Sequence, residues 1–349
     1  MKIGIATWYY VLNHGAVLQA VASKRLLENM GHKVTIVGFK SNNHYEPPKR
    51  KIKDFLPWVI FPRKRFSLTK ETLFKEYIKQ NLIIESKNKN QWDVVMVGAD
   101  EVFSLEGGLT PELFGIDYSC PVFAYAACSG PSTINDYLNP RYKEIISNSL
   151  MNMIALGVRD DNTKSIVEAL TKKEATLNLD PVLLYGFQNE LTSKDNVQRN
   201  NICLYAYTFR WDEKEEIKLV KRFAKKRNCR IDSLGFFHRW CNKNINIGPE
   251  DLLKEIQHYS FMFTDTFHGT IFAIITHTPF FVKIRNNSPK LISLLKMLKL
   301  ENRIITDENP VEKIASTSIN FDDVDTLLEE YRKESNCFLK DSLLRVENN

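Results

Sequence analysis

Apolar residues in this chain fall into short runs, separated by stretches whose apolar positions recur every three or four residues. That alternation builds parallel α/β sheets. Lys2 to Thr7 reads as a first strand. Gly15 to Asn29 reads as a helix through Val17, Ala20, Val21 and Leu26, terminated at Gly31, and Lys33 to Val37 reads as a second strand. The same rhythm predicts a helix over 70–81 and strands at Asp93–Val97, Phe123–Ala127 and Leu156–Val158. Helices near Arg141–Met151 and Asn162–Leu170 complete this half. Asp180-Pro181 closes it, and the polar, aperiodic stretch 188–201 reads as a linker. A second series follows, with strands Ile202–Tyr207, Arg230–Phe236, Tyr259–Thr264 and Pro279–Ile284. Its helices are Asp212–Arg227, Pro249–His258, one after His268, and Ser288–Leu298. The tail from Phe321 to about Arg345 has the pattern of a long amphipathic helix, expected to pack back on the first half. The expected division is 1–187 (with an excursion at 47–66), linker 188–201, 202–320, and the terminal helix 321–349.

Length agrees with this division, because 349 residues exceed one ordinary hydrophobic core. With 43% hydrophobic and 26% charged residues, the composition is that of a soluble globular protein. No apolar stretch approaches a membrane span, and Met1-Lys2-Ile3-Gly4-Ile5-Ala6 reads as a strand, not a signal peptide. Six scattered cysteines without a Cys-x-x-Cys pair point to reduced thiols in the cytoplasm and to no metal site.

The net charge of +6 is unevenly spread. Between Lys49 and Phe66, seven basic residues and one acid, Asp54, flank Phe55, Leu56, Trp58, Val59, Ile60 and Phe61. Pro57 and Pro62 predict a loop there, not a continuous helix. The composition suits peripheral contact with an anionic membrane surface through 49–66. No nucleic-acid-binding motif accompanies the charge, so no nucleic-acid partner is expected.

Candidate chemistry gathers at strand ends, where open α/β sheets bind ligands. Phe263-Thr264-Asp265-Thr266-Phe267-His268-Gly269-Thr270 reads as a buried strand, a tight turn and a helix start, with His268 placed as a proton donor, an anion ligand or a packing residue. At Asn13-His14-Gly15-Ala16, Asn13 caps a helix or binds a polar group, and Gly15 lets backbone approach a ligand. Gly98-Ala99-Asp100-Glu101 offers two carboxylates for an acceptor hydroxyl or for capping. Arg159, in Gly157-Val158-Arg159-Asp160, offers a bidentate fork to an anion, or a salt bridge to Asp160 or Asp161.

Taken in order, these segments resemble the polysaccharide pyruvyl transferase family. The resemblance runs from residue 1 to about 305, through Asn13-x-Gly15-Ala16-Val17-Leu18-Gln19-Ala20, Val97-Gly98-Ala99-Asp100-Glu101-Val102, Tyr125-Ala126-Ala127, Val158-Arg159-Asp160, Leu179-Asp180-Pro181 and Thr264–Thr270. It implies two Rossmann-like domains facing across a cleft, similar to the GT-B glycosyltransferase fold. It also implies transfer of pyruvate from phosphoenolpyruvate, as co-substrate and without a cofactor, to a sugar of a cell-envelope glycan or its lipid-linked precursor, as a ketal. By resemblance His268 matches the family's functional histidine and Arg159 its anion-binding arginine. The expected catalytic residues are His268, Arg159 and Asp100, with Asn13, Gly15, Thr264, Thr266, Gly269, Thr270 and Arg285 expected to bind the donor and Asp100 with Glu101 the acceptor.

The chain departs from the family where some branches carry an arginine at the position of Thr266, and the missing charge falls to Arg210, Arg239 or Arg285. Glu101 and Cys128-Ser129 also differ from the usual pattern. Two other readings stay open. One is a nucleotide-sugar glycosyltransferase with a base pocket near His238, Arg239 and Trp240; the other is a non-catalytic glycan-pathway binding protein.

Overall fold

A computed structural model describes residues 1–39, 62–86, 91–191, 199–285 and 288–348. The short apolar runs form two parallel sheets. The first contains β1 (Lys2–Ala6), β2 (Lys33–Gly38), β3 (Ile84–Ser86), β4 (Val94–Val97), β5 (Val122–Ala127), β6 (Leu156–Val158) and β7 (Thr176–Leu177), in the order β3-β2-β1-β4-β5-β6-β7. The second contains β8 (Arg199–Tyr205), β9 (Arg230–Leu234), β10 (Lys243–Ile245), β11 (Tyr259–Thr264) and β12 (Phe280–Val282), in the order β10-β9-β8-β11-β12. Both orders reverse at the centre, between β1 and β4 and between β8 and β11. Each reversal opens a crevice at the carboxyl ends of those strands.

The helices are α1 (His14–Asn29), α2 (Pro62–Asn81), α3 (Ile134–Tyr137), α4 (Lys143–Asn152), α5 (Asp161–Thr171), α6 (Pro181–Tyr185), α7 (Lys214–Lys226), α8 (Pro249–Ile256), α9 (Phe267–Ile275), α10 (Pro289–Met297), α11 (Val311–Ser316) and α12 (Phe321–Glu347). Every residue of β4 and β5 is buried, which is why both read as unbroken apolar runs. Helix α1 is buried almost all round because it lies at the junction, packed against α6 of the first half and α8 and α9 of the second. One apolar core therefore runs through the junction, and a smaller one around Trp211, Phe223, Phe263 and Phe281 lies within the second half.

Helix α12 returns to the first sheet. Ser335 Oγ accepts from the Leu179 amide at 2.9 Å, and Arg332 Nε donates to the Leu183 carbonyl at 2.9 Å. Gly157 permits this approach, since a Cβ there would stand 2.7 Å from Phe338 Cε1.

The pattern along the chain did not reveal β3, β7 or β10, each two or three residues long and each at a sheet edge. Edge strands bury too little to leave a clear apolar signature. Helix α2 starts at Pro62, eight residues before the predicted 70, because proline suits the first helical turn. Residues 40–61, which carry most of the basic excursion, and 192–198 of the expected linker lie outside the described residues. Its last residues belong to β8. Among the described residues, no helix is long and apolar enough to cross a membrane.

Candidate active site in the interdomain cleft

A cleft of about 430 Å³ opens between the two halves, lined by loops that follow β4, β5, β8, β11 and β12. Its inner end is built by the turn from β11 into α9. Thr266 stops the strand and caps the helix, its Oγ1 accepting from the Gly269 amide at 3.0 Å. His268 is thereby fixed in the first turn of α9, only 6% exposed but reaching the cleft wall. Its Nε2 lies 3.5 Å from Asp180 Oδ2 and makes no hydrogen bond.

Asp180 is the N-cap of α6. Its Oδ1 accepts from the Val182 amide at 2.9 Å, which leaves Oδ2 for His268 and for Arg159 Nη1 at 2.8 Å. The Arg159 guanidinium continues to Asp100 Oδ1 at 3.4 Å and lies over the Phe267 ring at 4.4 Å. Burial alone would raise the Asp180 carboxyl, but His268 and Arg159 outweigh it and hold it well below the usual carboxylate range. Asp100 is likewise lowered, its burial overcome by Arg159, His268 and Lys290.

The other wall carries cations. Lys290, in the first turn of α10, reaches across and pairs with Glu101. Burial would lower its pKa; the Glu101 carboxylate more than reverses this and keeps it charged. Arg285 donates from Nε to Asp265 Oδ2 at 2.8 Å and from Nη1 to Glu216 Oε1 at 2.6 Å, with Nη2 unpaired. Arg210 Nη1 lies 3.7 Å from Asp265 Oδ1.

Asn13, Asp100, Glu101, Thr266, His268 and Arg285 of the expected site line the cleft. Arg159 does not; its side chain is 1% exposed and is committed to Asp180 and Asp100, while Asp160 caps α5 instead of pairing with it. Thr264 and Thr270 are fully buried beneath the α9 turn, and Gly269 has no room for a Cβ beside Thr264 and Thr266. Asn13 has two duties: Oδ1 accepts from the Gly15 amide at 2.9 Å, and Nδ2 donates to the Tyr207 hydroxyl across the junction at 2.9 Å. Gln19 ties the first crevice together, donating to Thr7, Trp8 and Ala16 and accepting from the Ala99 amide.

Gly15 makes room for the histidine. A Cβ on it would lie 2.2 Å from both Cγ and Nδ1 of His268. Gly15→Ala is therefore expected to push the imidazole from its seat and cost about 1–3 kcal/mol of stability by overpacking, with turnover falling as far as it does without the imidazole. Thermal unfolding and steady-state turnover read the two effects; a variant with wild-type turnover excludes this seating role.

Two site residues escaped the sequence reading. Asp180 was visible as an Asp-Pro break and within the Leu179-Asp180-Pro181 segment of the resemblance, with no role of its own. Lys290 stood at a helix start, where a cation opposes the helix dipole and so needs a carboxylate partner; that mismatch was the available signal.

A family model for polysaccharide pyruvyl transferase matches residues 13–287, spanning every cleft segment from Asn13 to Arg285. The chain belongs to the polysaccharide pyruvyl transferase family. No curated protein sequence matches it. Among solved structures, it is similar to a putative UDP-N-acetylglucosamine 2-epimerase from Listeria monocytogenes, with 12% identity, TM-score 0.52, and 97% and 90% of the two chains covered. It is also similar to the UDP-GlcNAc 2-epimerase from Neisseria meningitidis (10%, 0.51, 99% and 100%) and to the glycotransferase of kitacinnamycin (11%, 0.51, 98% and 97%). This polysaccharide pyruvyl transferase family member thus has the two-domain GT-B-type fold.

Proposed function

We propose that this transferase moves pyruvate from phosphoenolpyruvate onto two hydroxyls of a sugar in a cell-envelope polysaccharide or its lipid-linked precursor. The observation that carries the reading is one histidine, seated against a buried carboxylate, in a cleft where Lys290 and Arg285 confront Asp100 and Glu101. Lys290 and Arg285 suit the donor's phosphate and carboxylate. His268 protonates the donor's methylene carbon, and the neighbouring carbon becomes electrophilic. A first sugar hydroxyl adds there and gives up its proton, with Asp100 or Glu101 as acceptor of that hydrogen bond. A second hydroxyl then displaces the phosphate and closes the ketal. One proton enters on carbon and two leave the hydroxyls, so the second departs with phosphate and the charges balance. Arg159 acts from behind, holding Asp180 and Asp100 in place. The reaction as written calls for no resident cofactor.

In the nucleotide-sugar alternative His238 is not free to bind a base through its ring nitrogens, which are engaged by Ser233 Oγ at 2.9 Å and the Arg210 carbonyl at 3.0 Å, and Arg239 and Trp240 would have to form the pocket. Exposed Arg63, Lys64 and Arg65 at the start of α2 prolong the basic excursion. A cytoplasmic enzyme resting on the inner membrane face, near a lipid-linked acceptor, completes the proposal.

Calorimetry with phosphoenolpyruvate and a panel of nucleotide sugars tests the donor. Saturable phosphoenolpyruvate binding is expected, weakened about tenfold or more in Lys290→Met, as for a lost charge-assisted contact. Binding of nucleotide sugars alone overturns the reading in favour of glycosyl transfer.

A further inference from the structure

The loop that follows β8 places Tyr207, Phe209 and Trp211 on alternate residues, and two of these bulky side chains stand on left-handed backbone, Phe209 at φ +74° and Trp211 at φ +58°. Large side chains avoid that region. Trp211 is fully buried, with its ring against Phe263, so packing accounts for its conformation. Phe209 has no such return. It is 71% exposed, the most exposed of the large apolar residues described.

The loop is nonetheless held firmly. The Arg210 amide donates to the Tyr207 carbonyl at 2.9 Å, His238 Nε2 donates to the Arg210 carbonyl at 3.0 Å, and Asn13 anchors the Tyr207 hydroxyl. Tyr207 and Arg210, the residues on either side of the Phe209 turn, both line the cleft. Arg63, from α2 of the other half, lies over one face of the Phe209 ring at 4.0 Å. Strain and exposed apolar surface that do nothing for folding are characteristic of ligand-binding positions.

We propose that Phe209 is an acceptor platform, on whose free face a pyranose ring of the glycan stacks. The inference rests on the reading that the acceptor is a glycan. An aromatic face is electron-rich, and a pyranose offers it a face of polarised C–H bonds while its hydroxyls point outward. The cleft that Tyr207 and Arg210 line also carries the carboxylates of Asp100, Glu101 and Glu106, acceptors that suit sugar hydroxyls.

The test compares wild type with Phe209→Gly, Phe209→Leu and Phe209→Tyr. Saturation-transfer NMR with methyl gluco-, galacto- and mannopyranosides and their 2-acetamido forms reads the platform. Phosphoenolpyruvate calorimetry reads the donor site separately, so failure of the donor reading and failure of the platform are distinguishable. At least one pyranoside is expected to bind wild type through its C–H face. That binding should weaken about tenfold or more in the Gly and Leu variants and persist in Tyr, with donor affinity unchanged throughout. Because glycine relieves a left-handed position, Phe209→Gly should unfold at or above the wild-type temperature. Undiminished pyranoside binding in Phe209→Gly and Phe209→Leu overturns the proposal, as does a wild type that binds none of the panel. Loss confined to sedimentation with anionic vesicles, or a Phe209→Gly protein that loses stability and donor binding together, overturns it equally.

Discussion

Replacing His268 with alanine is expected to lower turnover by at least about 10²-fold, the usual worth of a general acid, while phosphoenolpyruvate still binds. The expectation follows from where the charges stand. Lys290 and Arg285 reach the cleft from the second half independently of the imidazole, so donor affinity does not depend on it. Among the described residues, His268 is the only imidazole lining the cleft, and its Nε2 makes no hydrogen bond. Lys290→Met should show the opposite split, with weak donor binding and turnover largely recovered at saturating donor. Steady-state turnover with calorimetric donor affinity on both variants distinguishes the two roles. A His268→Ala enzyme within about tenfold of wild type is inconsistent with proton transfer to carbon. A His268→Ala protein that no longer binds donor would instead make the imidazole an anion ligand.

The parts of this site that were legible in the sequence are those encoded locally. The β11–α9 turn is written in eight consecutive residues, because a buried strand, a threonine cap and a helix start each leave a short-range pattern. Asn13 was visible for the same reason, lying two residues before the glycine it accompanies. What escaped depends on partners brought together only by folding. Lys290 and Glu101 are 189 residues apart, and nothing near either one announces the other. Arg159 read as an anion ligand or as the partner of its neighbours Asp160 and Asp161; Asp180, 21 residues on, takes it out of the cleft. Gly15 illustrates the limit well. The sequence shows that a side chain is absent, but only the packed structure shows that the space belongs to His268. Phe209 is the reverse case, an apolar residue two positions beyond the predicted strand Ile202–Tyr207 that the packed structure leaves 71% exposed.

The largest expected effect on stability lies in the Arg159–Asp180 pair. Both side chains are essentially sealed from solvent, at 1% and 0% exposure, so neither charge can fall back on water if the other is removed. Removing one partner of such a pair typically costs about 3–5 kcal/mol, because the remaining charge is buried without compensation. Asp180→Asn isolates this cost, since the amide oxygen can still cap the Val182 amide while the negative charge is lost. Urea unfolding should place Asp180→Asn about 3 kcal/mol or more below wild type at pH 7. Combining it with Arg159→Met should cost less than the sum of the two, as neighbours in one network do.

The pH dependence carries a defined sign. The folded-state pKa of Asp180 is depressed below its unfolded value, so its contribution is complete above about pH 4 and is lost as pH falls from there toward the folded value. The gap between wild type and Asp180→Asn should therefore be flat through neutral pH and narrow only on the acid side. A variant as stable as wild type at pH 7, or a gap that closes as pH rises, would mean that the carboxylate does not carry the network. His268 would then be seated by Gly15 and Thr266 alone.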